Sequence, residues 1–144
     1  IEALQNNARL TNKELAAKIN LAPSSCLARM RTLVKAKIIR GYHAEISAAA
    51  MGIGLEALIA VRLTKHARTS YQRMWTHIMA LPEVLALMHV SGAFDLQAHV
   101  AMRDVTHLRD FIMDSLATRQ EVDRFETSII YRSERHMQLP RYIK

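Results

Sequence analysis

With 144 residues the chain is long enough for one ordinary domain or two small ones, and for a real hydrophobic core. No apolar run approaches the roughly 20 residues of a membrane helix, the opening residues lack the pattern of a signal peptide, and the single Cys26 excludes an internal disulfide, so a cytoplasmic protein is expected. The formal net charge of +7 suggests a polyanionic partner, though the excess alone fits nucleic acid, an acidic membrane or simple solubility.

Ile1 to Gln5 reads as part of a first supporting helix, cut partway through. Thr11-Asn12-Lys13-Glu14 is a capping box, in which hydroxyl and carboxylate each satisfy a free backbone amide, and it starts a short helix with Leu15, Ala16 and Ile19 on one face. Asn20-Leu21-Ala22 ends that helix. Pro23 suits the first position of the next one, where its missing donor costs nothing. Cys26, Met30, Leu33 and Val34 repeat there at helical spacing and predict the buried face, while Ser24, Ser25, Ala28, Arg29, Arg31 and Thr32 occupy the opposite one. Two helices joined by three or four residues, the second basic and hydroxylic outside, match a helix-turn-helix.

Charge supports that reading. No acid lies between Glu14 and Glu45, whereas Lys18, Arg29, Arg31, Lys35, Lys37 and Arg40 all fall within that window. Arg29 and Arg31 suit either phosphate or guanine, against the alternative of a solvated helix face. Ser24 and Ser25 suit a phosphate at the helix start or, equally, a capping role. Lys35, Lys37 and Arg40 add positive charge. Ile38 to Ile46, β-branched and aromatic around Gly41, predicts two short wing strands. The DNA-binding domain therefore spans 1–46, with a small-residue, glycine-closed linker at 47–54.

Beyond the linker, over 55–144, Leu55 to Leu63 reads as a strand, Thr69 to Leu81 as a helix, and Val84 to Val90 as a strand. Ser91-Gly92-Ala93 is a turn, Leu96 to Met102 a strand, Asp104 caps a helix running through Leu116, and Val122 to Arg132 is the last strand. The order βαββαβ predicts an α+β, ferredoxin-like domain with both helices on one face of a four-stranded antiparallel sheet. Leu96, Ala98, Val100 and Met102 should meet the helices, leaving Gln97, His99 and Ala101 on an open face. The tail from Gln138 carries no pattern.

Three blocks are specific enough to point to a family. Leu21 to Leu33 is similar to the recognition helix, Ile38-Ile39-Arg40-Gly41-Tyr42 to the wing, and Val90-Ser91-Gly92-Ala93-Phe94-Asp95 to the Gly-x-x-Asp turn of the Lrp/AsnC (feast/famine) regulators, which the chain resembles across essentially its whole length. The resemblance implies amino-acid-responsive control of transcription, homodimers pairing through the C-terminal domain, and assembly to tetramers or octamers. It points to Ser91, Gly92, Phe94 and Asp95 as effector contacts, Asp95 for an amino group, with Thr127 and Ser128 as weaker candidates for a carboxylate. A plain hairpin is the alternative for the turn. Three positions depart from the family's pattern: Ala22 replaces a capping serine, Lys37 a glycine, and Arg119-Gln120-Glu121 a Pro-Gly before the last strand.

No His-x-x-x-His or Cys-x-x-Cys spacing, phosphate loop or nucleophile elbow is present, so neither a metal, a catalytic site nor a cofactor is expected beyond an amino-acid effector. Two readings remain: an effector-controlled, sequence-specific regulator of amino-acid metabolism, nucleoid-associated in the cytoplasm, or an architectural DNA-organising protein without a ligand. A small α+β enzyme with an appended helical domain is a third, without a recognisable catalytic motif.

Overall fold

The computed structural model describes residues 1–64, 68–140 and 142. The chain divides into two compact units, one of Ile1–Glu45 with Glu134–Lys144 and one of Ile46–Ser133. The segment expected as a linker at 47–54 thus lies in the second unit, and the tail counted with residues 55–144 joins the first.

The first unit holds α1 (Glu2–Asn6), α2 (Asn12–Lys18) and α3 (Pro23–Lys35). Its core is Leu15, Ala16 and Cys26, with Ala3, Leu4, Leu10, Leu21 and Met30 packed against them. Ile19 and Val34, expected on buried faces, stand 43% and 50% exposed. Both lie near helix ends, where so small a core leaves nothing to cover them.

Both helices end in the same way. After α2, Leu21 N donates to Ala16 O and Asn20 N to Ala17 O, around Asn20 at φ 52°. After α3, Ile38 N donates to Leu33 O and Lys37 N to Val34 O, around Lys37 at φ 56°. These are Schellman ends, which call for a left-handed residue. Asparagine tolerates that conformation and lysine does not, so the departure at Lys37 leaves the helix end intact and strained.

The two wing strands expected over Ile38 to Ile46 are absent: no strand ladder forms among these residues. A two-stranded ribbon is marginal without apolar backing. Here only Ile39 is partly buried, while Ile38, Tyr42 and Ile46 are more than half exposed. β-branched composition therefore supplied propensity without packing.

The second unit is the expected βαββαβ. Strands β1 (Leu55–Leu63), β2 (Val84–His89), β3 (Leu96–Met102) and β4 (Val122–Ile130) form one sheet in the order β2-β3-β1-β4, with every pair antiparallel. Helix α4 (Arg68–Met79) ends two residues before the expected Leu81, and β4 two before Arg132. Helix α5 (Val105–Ile112), capped by Asp104 Oδ1 accepting from His107 N at 2.8 Å, runs on into a π-helical stretch, Met113–Ala117.

Parity fixes the faces. Ala57, Ile59, Val61 and Leu63 alternate inward on β1, as Leu96, Ala98, Val100 and Met102 do on β3, and Met74, Ile78, Leu108, Phe111 and Leu116 of the helical segments close over them. The open face carries Leu58 opposite His99 and Ser128, and Ala60 opposite Gln97 and Glu126. Ala101 is buried although it belongs to this open face. A short contact, His99 Nε2 to Glu56 Oε2 at 2.6 Å, crosses it.

The loop from Arg119 to Glu121, where Pro-Gly would stiffen the backbone, is instead tied by contacts. Thr64 donates its amide to Glu121 O at 2.9 Å and its hydroxyl to Gln120 O at 3.0 Å, and Arg73 pairs with Glu121 at 3.5 Å. Arg119 donates to His77 Nδ1 at 2.7 Å. His77 Nε2 must then carry the proton, and it faces Ser115 O in the π-helical stretch at 3.0 Å.

Candidate functional site

In the first unit the capping box forms as expected. Glu14 N donates to Thr11 Oγ1 at 3.3 Å, and Thr11 N donates to Glu14 Oε2 at 2.8 Å. The bonds from the Thr11 amide, then its hydroxyl, hold the Glu14 carboxyl below its ordinary value. One residue on, Asn12 Nδ2 donates to Pro23 O at 2.8 Å, tying the start of α2 to the start of α3. That is the joint that sets the angle of a recognition helix.

Burial of Cys26 against Leu15 and Ala16 sets the rotation of α3. At about 100° per residue, Ser24, Ala28, Arg31 and Lys35 lie within about 40° of the line opposite Cys26. All four are exposed. Ser25 lies about 80° and Arg29 about 120° from that line, both exposed on the flanks. The residues expected to meet DNA therefore separate into a central strip and two flanking positions. Thr32, on the outer face but not among the expected contacts, turns its hydroxyl back to Ala28 O at 3.1 Å. Neither Ser24 nor Ser25 caps the helix: Ala22 is the cap and no side chain serves it. Arg40 is exposed in the irregular segment beyond.

In the second unit the Ser91 to Asp95 turn is anchored by its neighbours. Val90 N donates to Asp95 O and Asp95 N to Val61 O, each at 3.0 Å. Asp95 Oδ2 accepts from Leu63 N at 2.8 Å and lies 3.8 Å from Arg62 Nε. Arg62 also donates to Ala93 O at 3.2 Å, and Arg124 sits 5.0 Å over the Phe94 ring. Gly92 has φ 115° and open space where a Cβ would stand, so the turn requires glycine for its backbone angle and not for a tight approach.

Asp95 also borders a cavity of about 340 Å³ with Leu63, Arg68, Tyr71 and His89. The rings of Tyr71 and His89 lie 4.7 Å apart. Guanidinium, carboxylate and aromatic rings thus converge at one end of the sheet. Thr127 and Ser128 do not join them. Thr127 is opposite Ile59 and Ser128 opposite Leu58, so the two point to opposite faces of β4, the strand farthest from β2. Leu63, Arg68, Tyr71 and His89 were missed because they come from three separate elements, and only their chemistry, not their spacing, marks them.

Charge divides sharply between the units. The first holds eleven Lys or Arg against four acids, the second nine against nine, so the net +7 belongs wholly to the first. Among the described residues no helix is long and apolar enough to cross a membrane, and no group of three or more His, Cys, Asp or Glu is placed to hold a metal.

Comparison with known proteins matches residues 1–40 to a winged helix-turn-helix DNA-binding model and residues 56–139 to the Lrp/AsnC ligand binding domain. The chain is 37% identical over 129 residues to the HTH-type transcriptional regulator AldR of Mycolicibacterium smegmatis, covering 90% of this chain and 75% of that one. It is 31% identical over 132 residues to the transcriptional regulator AzlB of Bacillus subtilis, covering 92% and 84%. Its fold matches the crystal structure of a transcriptional regulator from Neisseria meningitidis in complex with L-Met, with a TM-score of 0.89 at 30% identity over 96% of this chain and 90% of that one. A basic helix-turn-helix unit and a neutral βαββαβ unit, each matched in place and in order, make this chain a member of the Lrp/AsnC family of transcription regulators.

Proposed function

We propose that this regulator binds duplex DNA through the outward strip of α3 and that an amino acid, held beside the Ser91 to Asp95 turn, sets its DNA affinity or its assembly. The observation that carries the reading is the segregation of charge: the unit with the helix-turn-helix has all the net charge, and the unit with the cavity has none. Counterion release makes such a basic unit a DNA binder. A cavity that combines Arg68, Asp95 and aromatic rings offers a partner to each end of a zwitterion, and a relative of similar fold holds L-Met. The open sheet face, with Leu58, Ala60, Ala86, Met88 and the Glu56–His99 pair, is the surface for a homodimer, from which tetramers or octamers assemble. The protein acts without catalysis and without a further cofactor, in the cytoplasm on the nucleoid.

Thermal unfolding in the presence of each of the twenty amino acids tests the effector. A ligand at a hundredfold its dissociation constant stabilises by about 2.7 kcal/mol. A selective shift, followed by a change in DNA affinity with the same amino acid, supports the reading. No shift with any of them would leave the architectural alternative. Asp95→Asn, which keeps an acceptor for Leu63 N but removes the charge, should weaken the selected amino acid; unchanged affinity would take Asp95 out of the site.

A further inference from the structure

The described residues after Ser133 have no part in the sheet, and the segment belongs with the helix-turn-helix unit. Gln138 Nε2 is hydrogen-bonded to Asn6 Oδ1 at the end of α1. From there a short loop leads to the DNA-facing joint: Arg9 N donates to Asn7 Oδ1, Thr11 caps α2, and Asn12 holds Pro23 O at the start of α3. In helix-turn-helix complexes the first of these helices crosses the DNA backbone and the start of the second meets base edges. The segment is therefore tied to the end of α1, at the start of the loop that leads into the Thr11 cap of α2.

Its composition fits that place. It brings Arg135, Arg141 and Lys144 against Glu134 alone, raising the net charge of the unit from +5 to +7. Its described residues add nothing to the core: Met137 and Leu139 are 60% and 71% exposed, and Arg135 and His136 are exposed beside them. A stretch held by a polar contact, exposed at every described residue and rich in cations is built for a charged surface. Duplex DNA is that surface for this unit.

We propose that the segment Glu134–Pro140 is an arm of the DNA interface that sets Arg135 against a backbone phosphate beside the helix-turn-helix. The proposal rests on the reading of the first unit as a DNA binder. It adds affinity without base preference, because a phosphate contact positions the protein and reads no sequence.

The test is the salt dependence of binding to a labelled mixed-sequence duplex of about three helical turns, roughly 30 base pairs, followed by fluorescence anisotropy. Each phosphate contact adds about 0.9 to the slope of log K against log salt. For Arg135→Gln the slope should fall by about one, so that affinity drops about 3.5-fold less than wild type between 50 and 200 mM salt. Arg135→Lys should restore it, and deletion of the residues after Ser133 should lower the slope at least as much as Arg135→Gln. Sedimentation of each variant reports assembly in parallel. An unchanged slope for both Arg135→Gln and the deletion, with wild type bound, would overturn the arm alone and leave the helix-turn-helix reading standing. A deletion that alters sedimentation and not the slope would overturn it in favour of contact with a second copy. Failure of wild type to bind the duplex would overturn both readings together.

Discussion

Replacing Lys37 with glycine should make the first unit more stable, although it removes a cation and every side-chain contact at that position. Lys37 sits at φ 56° as the left-handed residue of the Schellman end of α3, with both closing hydrogen bonds already in place. A side chain in that conformation costs about 1–2 kcal/mol relative to glycine. Glycine gives back about 0.5–1 kcal/mol through the greater freedom of its unfolded chain. The difference is a net gain of about 0.5–1 kcal/mol, worth a few degrees in Tm for a unit of this size. The assay is thermal unfolding by circular dichroism, with Lys37→Ala as control, since alanine removes the charge but keeps the Cβ and the strain. Glycine should raise Tm and alanine should leave it nearly where it was. Equal shifts for the two would show that charge, not backbone strain, governs the position, and a lower Tm with glycine would refute the reasoning outright.

Three further outcomes follow from the same geometry. Glu14 has its pKa lowered from 4.5 by the Thr11 bonds, so its stabilising contribution is complete above that value and disappears as pH falls through the lowered one. The stability difference between wild type and Glu14→Gln in urea should accordingly vanish in acid, and a difference that persists there would exclude the linkage. Gly54→Ala would set a Cβ 2.2 Å from Arg103 O, a backbone atom that cannot turn aside; a loss of about 1–3 kcal/mol is expected, and an unaltered denaturation midpoint would mean that the two strands part easily. On α3, Arg31 is on the central strip and Arg29 on the flank, so Arg31→Gln should relax base preference at one operator position in selected duplexes, while Arg29→Gln should weaken all sequences alike. The opposite assignment of effects would mean that α3 is rolled toward Arg29 on DNA.

Much of this was legible in the sequence, for a physical reason that differs from element to element. The capping box and Pro23 mark helix starts because free amides there have few ways to be satisfied. The parity of β3 was legible because a strand with one covered face must alternate. What was not legible had its cause in packing. Asp95 was legible as a turn carboxylate; that Leu63 N, 32 residues away, donates to its Oδ2 was not. Thr127 and Ser128, adjacent in sequence, point to opposite faces of β4, as strand parity already implies. No strands form over Ile38 to Ile46 because strand propensity expresses packing against neighbours, and Ile38, Tyr42 and Ile46 stay more than half exposed.

The tail was the least legible segment, since neither periodicity nor a motif ties it to a unit. Only the fold reveals that its charges add to those of the helix-turn-helix and not to those of the sheet. Once they are assigned, the second unit is left with equal numbers of cations and acids, several of them matched at close range, as in Arg62–Asp95, Arg73–Glu121 and Arg109–Asp110. A unit with no net charge exerts little long-range repulsion on another copy of itself, whereas one of +7 repels its like and draws in a polyanion over about a Debye length, near 8 Å in physiological salt. The division of charge therefore favours capture of a polyanion at the basic helices, and leaves the sheet unit the one whose approach to a like copy meets little repulsion. Surface substitution in the first unit can then vary operator contacts without altering the charge balance of the sheet unit.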